Sequence, residues 1–114
     1  MARVLLAEDE MLVRVVAEED LAELGHEVTA ASSGDEALAI IERGERFDLL
    51  VTDIRMSGAI DGWALARRAR AALPAIRVIY VSGFAGETHD PVEHSHFLKK
   101  PYRIEQLRDA VGLA

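Results

Sequence analysis

Four separated places in the sequence carry polar side chains that could bind a cation and a phosphoryl group. Glu8 and Asp9 follow the first apolar run, Asp53 follows a later one, and Ser82 and Lys100 follow two more. Two unit charges about 4 Å apart repel by about 4 kcal/mol at an effective dielectric constant near 20, so three adjacent carboxylates need a proton or a cation. Oxygen ligands with room for water favour Mg²⁺ over zinc or copper. We therefore predict a Mg²⁺ site at Glu8, Asp9 and Asp53.

A magnesium ion beside these aspartates would make phosphoryl chemistry accessible. An aspartate can act as a nucleophile toward phosphorus and form an aspartyl phosphate. Phosphoryl transfer depends on positioning and charge neutralisation more than on covalent help. The Lys100 ammonium adds to the neutralisation, the Ser82 hydroxyl can donate to a phosphoryl oxygen, and Gly83 leaves space beside it. The residue types together predict a phosphoryl acceptor.

These residues can act together only if the fold brings them to one place, and the sequence alternates between short apolar runs and amphipathic stretches. The predicted strands are 4–7, 27–31, 47–52, 76–81 and 96–99, and the predicted helices are 11–24, 34–44, 62–73 and 104–113. Ser33 and Glu36 form a capping box at the start of the second helix. Five strands separated by helices predict a doubly wound parallel α/β sheet, covered on both faces. In such a sheet, ligands bind outside the carboxyl ends of the strands.

The segment between the fourth and fifth strands departs from this alternation. Residues 83–95 contain two glycines, Pro91 and almost no apolar periodicity. We predict a loop here, so that the fourth helix of the fold is reduced or missing. No repeat, linker or low-complexity stretch interrupts the chain, which predicts one domain over residues 1–114.

The chain is acidic and contains no cysteine, which excludes disulfides, thiol nucleophiles and thiolate metal sites. The net charge of −7, from 20 acidic and 13 basic residues, argues against nucleic acid as a direct partner. No apolar run approaches the roughly 18 residues that span a bilayer, and Met1 stands too close to the first strand for a signal peptide. We expect a cytoplasmic protein with no membrane partner.

The motifs around these residues match a known family. They are LAEDE at 6–10, DLLVTDIRM at 48–56, VSG at 81–83 and LKKP at 98–101. Over Val4 to Val111, the sequence resembles the receiver domains of response regulators in two-component signalling. The resemblance implies a flavodoxin-like strand order, 2-1-3-4-5. No output domain follows the last helix, which is expected of a stand-alone receiver and equally of one excised from a hybrid kinase. Met1, so near the first strand, favours the stand-alone form.

The resemblance also implies roles for the site residues. Asp53 would receive the phosphoryl group from a histidine kinase or a histidine phosphotransfer protein, which makes the chain a signalling protein rather than an enzyme. Asp9, Asp53 and the backbone carbonyl of Arg55 would hold Mg²⁺, and Glu8 would contribute through water. Lys100 would pair with the phosphoryl group.

The signal would then pass to an unknown downstream protein through a conformational switch. Lys100-Pro101 would be a cis peptide, Ser82 would move toward the phosphate, and Phe97 would swing inward. The alternative for Phe97 is a plain core residue. Partner contacts beside the reduced fourth helix are expected to differ from those of other family members.

The loop after Asp53 differs from the family pattern. The family usually has Met-Pro where this chain has Met56-Ser57, and Asp61-Gly62 lies one residue later than usual. The loop that presents the Arg55 carbonyl therefore carries a small insertion.

Four other interpretations are open. A haloacid dehalogenase-type phosphatase would need Asp-x-Asp, but the chain has Asp53-Ile54-Arg55. A flavodoxin-like cofactor binder would need a Ser/Thr/Gly-rich loop after the first strand, where this chain has Glu8-Asp9-Glu10. A degenerate receiver would serve as a scaffold without phosphorylation. A zinc site is conceivable where acids and histidines cluster, at His89, Asp90, Glu93, His94 and His96.

Overall fold

The computed structural model describes residues 1–83 and 91–113 and contains five strands and four helices in these ranges. They are β1 (Arg3–Ala7), α1 (Met11–Glu23), β2 (Glu27–Ala31), α2 (Gly34–Glu42), β3 (Leu49–Asp53), α3 (Gly62–Ala72), β4 (Arg77–Ser82), β5 (Ser95–Lys99) and α4 (Ile104–Leu113). Each lies within one or two residues of its predicted bounds. None of the helices in the described part of the chain has the length and apolar character needed to cross a membrane.

The strands form one sheet in the order β2-β1-β3-β4-β5, and every neighbouring pair is parallel. This confirms the predicted doubly wound sheet. The register pairs Ala7 with Thr52 and Asp53 with Val81. Ser82 pairs with Lys99 in the same way. The carboxyl ends of four strands therefore meet at one edge of the sheet.

Two hydrophobic cores cover the two faces of the sheet, because strand side chains alternate between them. Leu50 and Tyr80 point into the core under α2 and α3, whereas Val51 and Ile79 point into the core under α1 and α4. All four side chains are buried. This division confirms the expectation that helices pack on both faces.

The start of α2 shows the predicted capping box with a shift of one residue. The Ser33 hydroxyl accepts a hydrogen bond from the Glu36 N–H at 3.0 Å. The Glu36 carboxylate accepts from the N–H of Ser32, at 2.7 Å, one residue before the cap. Both bonds satisfy N–H groups that have no partner inside the helix.

The segment between β4 and β5 is described only in part. Residues 84–90 lie outside the described residues, and 91–94 are not helical. Arg70 of α3 holds the described part in place, because its guanidinium donates to the carbonyls of Ile76 and Glu93 at 3.0 and 2.7 Å. The Val92 N–H also donates to the Tyr80 hydroxyl at 3.1 Å. For the described residues, the prediction that this segment lacks a full helix is confirmed.

Candidate functional site

Three carboxylates converge at the edge where the strands end. Glu8 and Asp9 directly follow β1, and Asp53 is the last residue of β3, the neighbour of β1. One carboxylate oxygen of each lies within 4.8 Å of those of the other two. Among the residues that the structure describes, no other group of three acids or histidines comes this close together. The predicted convergence is confirmed.

Lys100 links two of the three carboxylates. Its ammonium donates to Glu8 Oε1 at 2.7 Å and to Asp53 Oδ2 at 3.2 Å. The backbone N–H of Lys100 donates to the backbone carbonyl of Ser82 at 2.8 Å, and this bond fixes the start of the Lys100 side chain against β4. The Lys100-Pro101 peptide is cis, as predicted. One ammonium thus contacts two of the three carboxylates and offsets only part of the charge of the group.

The pKa values of these groups reflect this crowding. Glu8 is only 3% exposed, and burial raises the pKa of its carboxyl, although hydrogen bonds from Lys100 and from the Glu10 N–H oppose the rise. Burial alone would lower the pKa of the Lys100 ammonium. The hydrogen bond to Glu8 and the charge of Asp53 outweigh it, so the pKa of Lys100 is raised. The site therefore favours additional positive charge.

The Asp53 carboxylate faces an open cleft of about 260 Å³. Its Oδ1 accepts from the Ile54 N–H at 2.8 Å, and its side chain is 14% exposed. The cleft is lined by Asp9, Glu10, Asp53, Arg55, Ser82, Gly83 and Lys100. The lining includes all the predicted site residues except Glu8 and Phe97. Glu8 is buried and contacts Lys100.

The loop between β3 and α3 is tied to the site by contacts that sequence reasoning missed. The Ser57 N–H donates to Asp9 Oδ2 at 3.0 Å. The Ala59 N–H donates to Asp35 Oδ2, in the first turn of α2, at 3.2 Å. Neither bond has a sequence signal, because the donor is in each case a backbone group. The inserted residue lengthens this loop without detaching it from the site.

Phe97 lies outside the cleft, on β5. Its side chain is 53% exposed, so its interpretation as a plain core residue is wrong. The ring centroid lies 5.3 Å from that of Tyr80 and 5.8 Å from that of Trp63. Tyr80 stands two residues before Ser82, on the same face of β4. Phe97 thus packs against a buried ring that lies two residues before Ser82, a residue of the cleft.

The alternative zinc site is not formed by the described residues alone. Glu93, His94 and His96 are not part of any three-ligand group there. His89 and Asp90 lie outside the described residues, as does Phe84, which the sequence places beside Gly83.

Comparison with known proteins identifies the family. Residues 4–112 match the response regulator receiver domain. The chain is 39% identical over 115 residues to the sensor kinase CckA of Brucella abortus, which covers 96% of this chain and 12% of the kinase. It is 34% identical over 111 residues to the response regulator receiver protein CpdR of the same organism, which covers 94% of this chain and 91% of CpdR. The chain thus spans a small part of CckA and most of CpdR.

Solved structures agree with this match. A response regulator receiver protein from Sinorhizobium medicae superposes with a TM-score of 0.91 at 38% identity, covering 96% of this chain and 90% of the other. The response regulator TrrA of Thermotoga maritima, solved in complex with Mg²⁺-BeF, superposes with a TM-score of 0.86 at 27% identity over the full length of both chains. By sequence and by fold, the chain belongs to the response regulator receiver domain family.

Proposed function

We propose that this chain is a cytoplasmic receiver whose Asp53 accepts a phosphoryl group from a histidine kinase or a histidine phosphotransfer protein. The observation that carries the proposal is the three-carboxylate group, in which Lys100 contacts both Glu8 and Asp53. Asp53 is the member of this group that ends a central strand and opens onto the cleft. The family match supports the same role.

The residues around Asp53 suit in-line phosphoryl transfer. An Asp53 carboxylate oxygen forms the new bond to phosphorus while the bond from phosphorus to the donor imidazole nitrogen breaks. The Lys100 ammonium, already 3.2 Å from Asp53 Oδ2, neutralises part of the charge that arrives. The Ser82 hydroxyl, which lines the same cleft, donates to a phosphoryl oxygen.

The donor set fits Mg²⁺, which prefers oxygen ligands and retains several waters. Asp9, Asp53 and the Arg55 carbonyl would hold the ion, and Glu8 would contribute through water. A bound ion supplies the neutralisation that one lysine cannot give to three carboxylates. The complex of TrrA with Mg²⁺-BeF supports magnesium as the ion that this chain binds.

The signal would leave the site through Ser82 and Phe97. A phosphoryl group adds about −1.5 to −2 charges, which is enough to bias a bistable loop. Ser82 would move toward the phosphate, and the half-exposed Phe97 ring would turn inward against Tyr80. The 53% exposure of Phe97 supports this, because a ring already buried would have no inward movement to make.

The donor would dock on the exposed apolar face of α1. Leu12 and Val16 are 75% and 57% exposed. They line a groove of about 620 Å³ that continues to Pro101 and Tyr102 and reaches Lys100 at the edge of the cleft. A partner that brings a phosphohistidine to Asp53 must cover the surface around the cleft, and this groove is the apolar part of that surface.

Intact mass spectrometry tests the acceptor. After incubation with acetyl phosphate and Mg²⁺, we expect the wild-type chain to gain the mass of one phosphoryl group. Asp53→Asn should gain none, because the amide is a poor nucleophile, and excess chelator should prevent the gain in the wild type.

A modification that persists in Asp53→Asn would show that another residue is the acceptor. A wild-type chain that stays unmodified by acetyl phosphate and by histidine kinases would instead favour the scaffold without phosphorylation. Asp48→Asn, at an exposed position directly before β3 and away from the cleft, is the matched control and should be phosphorylated like the wild type.

A further inference from the structure

One backbone hydrogen bond joins the cation site to the loop after β3. The Ser57 N–H donates to Asp9 Oδ2 across 48 residues of sequence. A carboxylate accepts hydrogen bonds or metal ions at both oxygens, so this bond leaves Asp9 Oδ1 for an ion. Arg55, whose carbonyl the proposed function places on the same ion, lies two residues before Ser57. The bond therefore connects two of the proposed ligands.

The other end of this loop is anchored on α2. The Ala59 N–H donates to Asp35 Oδ2. A Cβ at Gly34 would collide with the carbonyl oxygen of Ile60, so the loop backbone packs directly on the start of α2. Between the two anchors, Gly58 has a φ of +105°, a conformation that glycine adopts without steric cost. The loop is thus held from both sides.

We propose that the Ser57 backbone N–H positions the divalent-cation site by orienting the Asp9 carboxylate and fixing the Arg55 carbonyl relative to it. This inference rests on the proposed function, because it assigns a role at the same site. Groups that hydrogen-bond to a metal ligand fix its orientation, and removing one typically weakens metal affinity about 10- to 100-fold. The family's usual proline at this place has no N–H and could not make this bond.

A comparison of Ser57→Ala with Ser57→Pro isolates the N–H. Alanine removes the hydroxyl and keeps the N–H, whereas proline removes the N–H. Among the described residues other than glycine, only His94 has a positive φ, so the φ of Ser57 is on the negative side that proline requires. In calorimetric titration with MgCl₂, we expect Ser57→Ala to match the wild type. Because the bond is exposed to solvent, Ser57→Pro should bind about 10-fold more weakly, at the lower end of the usual range.

The Asp35 anchor provides a second, independent pair of variants. Asp35→Asn keeps an oxygen that can accept from the Ala59 N–H, whereas Asp35→Leu removes the acceptor, and both remove the charge. We expect Asp35→Leu to bind Mg²⁺ about three-fold more weakly than Asp35→Asn, because this anchor acts further from the ion. Circular dichroism establishes that each variant is folded, and the Asp35 pair decides the question if Ser57→Pro does not fold.

Each outcome of these titrations decides the inference. Equal affinities of Ser57→Pro and Ser57→Ala, or tighter binding by the proline variant, would overturn it and leave the proposed function intact. If Ser57→Pro does not fold, equal Mg²⁺ affinities of Asp35→Asn and Asp35→Leu would overturn the inference and leave the proposed function intact. A wild-type chain that binds no Mg²⁺ would overturn both this inference and the proposed function.

Discussion

At the scale of single residues, the site is a balance between burial and charge. Glu8 is the most buried of the three carboxylates, and it is also the one that Lys100 approaches most closely. Breaking a buried ion pair by removing one partner leaves an uncompensated charge, which is costly. Lys100 therefore has a structural role in addition to its proposed role toward the phosphoryl group.

The raised pKa of Glu8 predicts a pH dependence of stability. The pKa of this carboxyl lies above its ordinary value of 4.5 in the folded chain, mainly because of burial. Folding therefore favours the protonated form of the Glu8 carboxyl. The stability that this form contributes is fully present below pH 4.5 and is lost as the pH rises through the pKa of the folded chain. Without Mg²⁺, we expect wild-type stability, measured by urea denaturation over a series of pH values, to fall relative to Glu8→Gln as the pH rises above 4.5.

Glu10→Gln removes one negative charge at an exposed neighbouring position and controls for the overall change in charge. A difference between wild type and Glu8→Gln that stays constant over this pH range, or that changes in the opposite direction, would contradict the assigned shift of Glu8.

Most side chains of the site could be predicted from the sequence, but their contacts could not. The positions of Asp9 and Asp53 follow from the rule that parallel strands end at the same edge, once the strands are recognised. The exposure of Phe97 could not be predicted, because it depends on which other parts of the chain pack over β5, and the local sequence does not specify that packing. The Ser57 bond was equally hidden, since every residue except proline carries a backbone N–H.

At the scale of elements, the junction between β3 and α3 is where the fold and the site meet. A Cβ at Gly62 would collide with the Asp53 carbonyl oxygen and would lie 2.8 Å from the Cα of Ile54. The Gly62 N–H also donates to the Ile54 carbonyl at 2.8 Å. The first residue of α3 is therefore seated directly on the backbone of the proposed acceptor.

We expect Gly62→Ala to destabilise the chain by about 2–3 kcal/mol, near the upper end for overpacking, because the obstructing atoms are backbone and cannot rotate away. Gly112→Ala is the control. A Cβ at Gly112 meets nothing within 4 Å, so alanine there should stabilise α4 by about 0.5–1 kcal/mol. Urea denaturation of both variants measures the difference, and similar effects at the two positions would contradict the packing described at Gly62.

The bounds of the strands and helices were the most predictable part of the structure. The strands β1, β3 and β4 are short apolar runs that end at polar residues, and α2 begins after the predicted cap, Ser33. The anchoring role of Arg70 was not predictable. The sequence places Arg70 on the polar face of α3 with Arg67 and Arg68, but its guanidinium turns toward the carbonyls of Ile76 and Glu93.

At the scale of the whole molecule, apolar side chains divide into those that hold the fold and those left on the surface. Leu107 of α4 is fully buried, whereas Leu12 of α1 is 75% exposed. We expect Leu107→Ala to cost about 2–5 kcal/mol of unfolding free energy, through lost burial and a residual cavity. Leu12→Ala should change it by no more than about 0.5 kcal/mol. Urea denaturation measures both.

If Leu12→Ala destabilised the chain as much as Leu107→Ala, the α1 face would be needed for folding, and its proposed use as a docking surface would lose its basis. A neutral effect would leave Leu12 free to contribute its apolar area to a partner. The same variant would then be expected to slow phosphorylation by a histidine kinase without slowing phosphorylation by acetyl phosphate.

The aromatic contact beneath β5 has a practical consequence. Trp63 is the single tryptophan of the chain. The centroid of its indole ring lies 4.7 Å from the ring centroid of Tyr80 and 5.8 Å from that of Phe97. Indole emission is sensitive to the groups packed around it, so selective excitation of tryptophan reads the surroundings of one position. The chain therefore contains its own optical reporter of rearrangement at Phe97, and no added dye or label is needed to follow it.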